Sequence, residues 1–177
     1  MFKSAKEIAF TGITVALLIG GQLVLSMVSG VEIVTALFVV YCMVFGPLRG
    51  VFVATAFSLV RCFVFGFMPQ VIVLYLVYFN IFAVLVGFVG KRVKDKSLPV
   101  KIVVATVLAV VLTLCFTAID DILNICFFGL PKAVREIYIL QSIPVAIRHA
   151  VTNGVIVPLF FYPFYKVFIM AKNNLYK

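Results

Sequence analysis

One histidine, six carboxylate side chains and no closely paired cysteines are all that this 177-residue chain offers toward metal or redox chemistry. His149 has no second histidine at ligand spacing, so no metal site is expected. Cys42, Cys62, Cys115 and Cys126 each lie inside an apolar run, without a C-x-x-C pair, and read as buried thiols acting as small hydrophobes. There is no G-x-x-x-x-G-K-[ST] stretch, so no ATP is held through a P-loop. The absence of G-x-S-x-G and H-E-x-x-H removes the simplest protease readings. Charge itself is scarce. Only 12% of residues are charged and 65% are hydrophobic, against about 25% and about 45–50% in soluble domains. With a mean hydropathy of +1.26, the chain reads as an all-α integral membrane protein forming one domain over residues 1–177. The net charge of +9 would suggest nucleic acid in a soluble protein. Here the basic residues collect beside and between apolar runs, where they report topology and argue for no nucleic-acid partner.

What is present is a series of apolar runs near the roughly 20 residues that a bilayer requires. The pattern predicts six transmembrane helices: Ile8–Met27, Glu32–Phe45, Val51–Phe67, Val71–Gly90, Ile102–Phe127 and Ile143–Phe168. The opening "MFKSAKEIAF" carries no cleavage pattern, so the first run is expected to remain as a helix. The second run is short, covering about 21 Å at 1.5 Å per residue, and is expected to rely on its neighbours or on a tilted approach. Breaks fall at "SMVSG", "GPLRG", "GFMPQ", "KRVKDKSLPVK" and "GLPKAVREIYILQS". In the last of these a short interfacial helix with hinges at Gly129 and Pro131 is expected. Ser142, ahead of Ile143 and Pro144, predicts the start of the sixth helix. With the N-terminus cytoplasmic, that side receives Lys3, Lys6, Arg49, Lys91, Arg92, Lys94, Lys96, Lys101, Lys166, Lys172 and Lys177, and the other only Lys132 and Arg135. The asymmetry predicts both termini cytoplasmic.

Direction gives every intramembrane polar residue a depth. Gln22, Glu32, Arg61, Asp120, Asp121, Asn124, Arg148 and His149 all fall in the outer half, whereas the inner half has almost none. A charge at the bilayer centre costs at least about 2.5–3.5 kcal/mol on insertion scales, so charges from several helices at one depth must face each other or water. Thr106, Thr113, Thr117, Asp120 and Asn124 share one helical face, and Gln141, Arg148 and Thr152 another, with His149 and Asn153 beside it. One reading is an outward-facing cavity lined by Asp120, Asn124, Arg148, Asn153 and Arg61, with Tyr75, Tyr78 and nearby phenylalanines stacking on a ring of the ligand. The other is a set of structural ion pairs, Asp120 with Arg148 or Asp121 with Arg61. Adjacent helical residues point about 100° apart, so the two aspartates should serve different neighbours. Glu32 also fits a simple helix-dipole role.

Along the first run, Ala5, Ala9, Gly12, Ala16 and Gly20 recur at three- and four-residue steps. Such spacing lets another helix backbone approach closely, either from this chain or from a partner. This stripe, the six runs, the basic cytoplasmic ends and "GVEIVTALFVVYCMVFGPLRG" (residues 30–50) resemble the S components of energy-coupling factor transporters. The resemblance implies a prokaryotic plasma-membrane subunit, not an enzyme and without a cofactor. It implies that a small water-soluble, vitamin-like or heterocyclic micronutrient is captured at the outer face. It further implies that Ala5, Ala9, Gly12 and Ala16 dock on a membrane coupling subunit driven by two ATPases. Nickel and cobalt members carry an N-terminal histidine that this chain lacks, which argues against metal cargo. The alternative is a self-contained small secondary transporter or channel, although no internal repeat supports it. "DDILN" (residues 120–124) superficially resembles the aspartate-rich motif of membrane prenyltransferases, but a second acidic cluster is missing.

Overall fold

The computed structural model describes residues 4–25 and 33–176. Among them every regular element is a helix: α1 (Ala5–Leu25), α2 (Ile33–Phe45), α3 (Pro47–Phe65), α4 (Pro69–Arg92), α5 (Leu98–Phe128) and α6 (Lys132–Leu175). Five of them are long and apolar enough to cross a membrane, and α2 is a shorter apolar helix. All five long helices carry exposed large apolar side chains, such as Leu17, Phe63, Leu85, Val103 and Leu159. Water would penalise such a surface and hydrocarbon does not, so this is a membrane protein.

Helix α2 is the exception that organises the bundle. None of its large apolar residues is exposed, and Ala36, Phe38, Val39, Val40 and Cys42 are wholly buried. A helix that is apolar all round belongs inside, and α2 packs against each of the other five. Its end is sharp. Gly46, at φ 84°, is the single residue between α2 and α3, and a side chain there would be strained. Pro47 then opens α3, where its missing N–H costs nothing.

Helix α4 presses closest on this corner. A Cβ on Gly87 would lie 2.4 Å from the Pro47 nitrogen, and one on Gly90 2.5 Å from the Met43 Cα. These glycines, with Gly50 against Ala83 and Cys42, supply the close backbone approach that small residues allow in lipid.

The sixth helix departs from expectation. It begins at Lys132 and runs 44 residues, so "GLPKAVREIYILQS" is not a loop: the connection shrinks to Gly129–Pro131. Gly129 ends α5 in the left-handed conformation, which is the common helix stop. Ser142 is therefore interior rather than a start, and Pro144, Pro158 and Pro163 all lie within α6. Each proline deprives the carbonyl four residues earlier of its bond. For Pro144 that residue is Leu140, which lies outside the buried core. The fifth helix also starts earlier than expected, at Leu98.

Candidate binding site

The helix directions define two ends. The starts of α1, α3 and α5 and the ends of α2, α4 and α6 gather Lys101, Arg49, Lys91, Arg92 and Lys172, and form the basic end. The expected site residues lie toward the other end, and there the structure sorts them into two groups.

The first group joins α1, α3 and α4. Gln22 donates its Nε2–H to the Tyr75 hydroxyl at 3.0 Å. The Arg61 guanidinium lies 4.0 Å from the centre of the Tyr75 ring and 4.8 Å from that of Phe65. Tyr75 in turn meets Phe57, Phe79 and Phe116, and the buried Tyr78 packs on Phe116 at 4.8 Å. Two polar atoms in this array, Gln22 Oε1 and Arg61 Nε, are buried without a hydrogen-bond partner.

The second group is a seam between α5 and α6. Asn153, fully buried, donates from Nδ2 to Thr113 Oγ1 at 2.8 Å. Nearer the α5–α6 turn, the Ser142 hydroxyl donates to Asp121 Oδ2 at 2.5 Å. Asn124 Nδ2 donates to Asp120 Oδ1 at 2.9 Å within α5. Tyr138 faces both aspartates and Asn124. The two acids thus hydrogen-bond to different side chains, as their helical phase predicts, while sharing Tyr138. Among the described residues the carboxylates bond to Asn124 and Ser142, and no salt bridge joins either of them to Arg148 or Arg61. Among the described residues the ion pair is elsewhere, at Glu7–Arg49. Arg148 is exposed and His149 half-buried, and Thr152 donates to the Arg148 carbonyl. Thr106 and Thr117 cap carbonyls of their own helix. Glu32 lies outside the described residues.

Of the four cysteines, Cys42 and Cys62 are buried as expected. Cys115 and Cys126 are exposed, which corrects the reading of all four as core residues. The hydrocarbon-facing surface of α5 takes a thiol as readily as the core does. On α1, Ala5, Ala9, Gly12 and Ala16 are all exposed, and a Cβ on Gly12 or Gly20 would meet nothing within 4 Å. The stripe does not pack within the chain.

Sequence reasoning missed a cluster at the basic end. Glu7 is only 3% exposed and accepts from Arg49 Nη2 at 3.4 Å through both carboxylate oxygens. Arg49 also lies 4.8 Å from the Tyr176 ring centre. Phe10, Thr11, Tyr41, Phe45 and Leu175 close the cleft, leaving no space for a water molecule. Burial pushes the Tyr176 hydroxyl above its ordinary titration range, Glu7 adding to the effect and Arg49 opposing it. The missed signal is Glu7 itself, a lone acid in a chain start that is otherwise basic. Lys172 fastens α6 nearby, donating to the Val44 carbonyl at 2.6 Å. Asn80, also missed, accepts from Thr55 at 3.1 Å across α3 and α4.

Comparison with known proteins finds no matching family, no matching curated protein and no matching solved structure.

Proposed function

We propose that the chain is the substrate-binding S component of an energy-coupling factor importer. In this reading it spans the plasma membrane of a prokaryotic cell six times, both termini cytoplasmic. It binds a small water-soluble, vitamin-like or heterocyclic micronutrient at the outer face. It delivers the substrate by docking on a membrane coupling subunit with two ATPases. One observation carries the reading: the small-residue face of α1 is unused by the fold. Gly50, Gly87 and Gly90 make the close approaches inside the chain, whereas Ala5, Ala9, Gly12 and Ala16 stand exposed. In lipid that face is free to receive a foreign helix backbone.

The substrate residues in this reading are Asp120, Asp121, Asn124, Arg148, His149, Asn153, Arg61, Gln22, Tyr75 and Tyr78, with Glu32. Gathered polar groups at one depth, bordered by aromatic rings, suit a ligand with both donors and acceptors. The Glu7–Arg49 pair at the basic end holds the start of α1, and with it the docking stripe, in a fixed position.

Co-purification tests the proposal. The tagged chain should bring down a membrane coupling subunit and two ATPases, and Gly12→Leu or Ala16→Leu should lose them. Because a Cβ on Gly12 meets nothing, the Gly12→Leu chain should still fold. Transport in liposomes by this chain alone would overturn the reading in favour of a self-contained transporter or channel.

A further inference from the structure

Deepening the binding reading above, on which this inference rests, we infer that Arg61, Gln22 and Tyr75 form the recognition point for an aromatic carboxylate. Arg61 is a permanent cation on an apolar helix. Aromatic faces meet it on two sides, Tyr75 at 4.0 Å and Phe65 at 4.8 Å. Rings stabilise the charge but accept no conventional hydrogen bond, and a guanidinium has five N–H donors. Its Nε is buried with no acceptor, and among the described residues no carboxylate pairs with it. Asp120 and Asp121, two of the acids toward the same end, are engaged by Asn124 and Ser142.

Gln22 presents the complementary deficit. Its NH2 group donates one bond to the Tyr75 hydroxyl, while the buried Oε1 has no donor. One unmet donor and one unmet acceptor on either side of Tyr75 specify the missing partner. It offers an oxyanion to Arg61 and an N–H or O–H to Gln22. Native structures rarely leave such atoms unpaired, and an unpaired group in a site is a reason to look for a ligand. The neighbouring rings suit a flat partner. Tyr75 and Phe116 are only partly buried and belong to an aromatic cluster whose other members, Phe57, Tyr78 and Phe79, lie in the core, and on the edge of such a cluster a flat ring stacks favourably. A carboxylate on a planar heterocycle satisfies all three demands, and the planar Arg fork matches it bidentately.

An oxyanion could also come from a lipid phosphate, since long basic side chains near helix ends reach the headgroups. The test separates the two sources. The isolated chain is held in a phosphate-free maltoside micelle, and Tm is followed with orotate and nicotinate, then with uracil and nicotinamide as partners lacking the carboxylate. Both carboxylates should raise Tm and the neutral compounds should not. Arg61→Gln should weaken the response about tenfold to a hundredfold in Kd, the loss of a charged hydrogen bond. Gln22→Leu should weaken orotate, which has ring N–H groups, more than nicotinate. Arg61→Lys, which keeps the charge, covers the case in which Arg61→Gln fails to fold; it should bind more weakly than wild type. An equal response in the Arg61 variants, or no response to either carboxylate, overturns the inference. So does a Tm rise with dioleoylphosphatidylglycerol that Arg61→Gln abolishes while the carboxylates do nothing, which assigns Arg61 to lipid. None of these readouts involves the coupling subunit, so failure here is distinct from failure of co-purification.

Discussion

The two ends of the bundle are built on opposite principles. At the basic end, α4 touches the α2–α3 corner backbone to backbone through Gly87 and Gly90. Glu7, Arg49 and Tyr176 lock the chain's start to its finish there, and Lys172 fastens α6 to the end of α2. At the other end the α5–α6 hairpin extends past the core, and no residue between 114 and 152 is buried. Its cohesion comes from partly buried apolar residues such as Ile119 and Leu123 and from side-chain bonds between the two helices, such as Ser142 with Asp121. Regions with few buried contacts open at low free energy, and binding elements are drawn from them. The difference therefore assigns rigidity to the basic end and adaptability to the end carrying the polar residues.

The hardest way to break the comparison is to spoil the close approach. Gly87→Leu or Gly90→Leu places side-chain atoms where Pro47 and Met43 backbone atoms already are. Overpacking costs about 1–3 kcal/mol, occasionally more, and here backbone must yield, so more than about 3 kcal/mol is expected. The chain should lose its monodisperse peak in size-exclusion chromatography. Gly12→Leu, on the same scale of substitution, should leave that peak unchanged, because nothing lies within 4 Å of it.

Next comes the ion pair. Arg49→Ala takes the guanidinium away from Glu7, which is 3% exposed, and breaking a buried pair costs about 3–5 kcal/mol. Arg49 is itself 28% exposed, so the low end, about 3 kcal/mol, is expected in thermal or denaturant unfolding. Glu7→Gln keeps the shape and frees an arginine that can reach water, at about 1 kcal/mol. A larger loss for Glu7→Gln than for Arg49→Ala would contradict a buried acid dependent on an accessible base.

How far these ends were legible in the sequence follows from what each depends on. Apolar runs and Gly-Pro breaks mark α1 to α5 because lipid demands both length and hydrophobicity. The centrality of α2 showed as a run too short to span alone. The start of α6 did not show, because residues 132–142 are too polar to count as a span and Pro144 resembles a first-turn proline. Only the structure shows that Pro144 lies inside α6, well after its start at Lys132. Helical phase separated Asp120 from Asp121 correctly, since it depends on geometry within one helix. The partners of Glu7 were hidden for the opposite reason: Arg49 and Tyr176 reach it only through tertiary packing. Likewise the small-residue pattern on α1 was visible, but the glycines pressed against another segment's backbone, Gly87 and Gly90, are on α4.

The seam between α5 and α6 should respond more weakly than the basic end. Interhelical hydrogen bonds in membranes average about 0.6 kcal/mol and reach about 1.7. Asn153→Ala, at a fully buried position bonded to Thr113, should approach the upper value. Ser142→Ala, on the hairpin beyond the core, should stay near the average. Unfolding in mixed micelles would rank them. Equal losses at the two sites would mean that the hairpin is as constrained as the core.

The smallest effect is a titration that reads the basic end directly. Tyr176 is held in its neutral form by burial first and by Glu7 second, so its folded pKa lies above the unfolded value of about 10. A raised pKa means that the folded chain keeps the proton longer. The contribution is complete below about pH 10 and is lost as pH rises through the folded value. Tyrosinate absorbance of wild type minus Tyr176→Phe isolates this one group among seven tyrosines. Glu7→Gln removes a negative neighbour and should move the transition down, toward the ordinary range. Arg49→Gln removes the opposing cation and should move it up. If neither substitution shifts it, Tyr176 is not held against the pair, and the lock between the chain's two termini is absent.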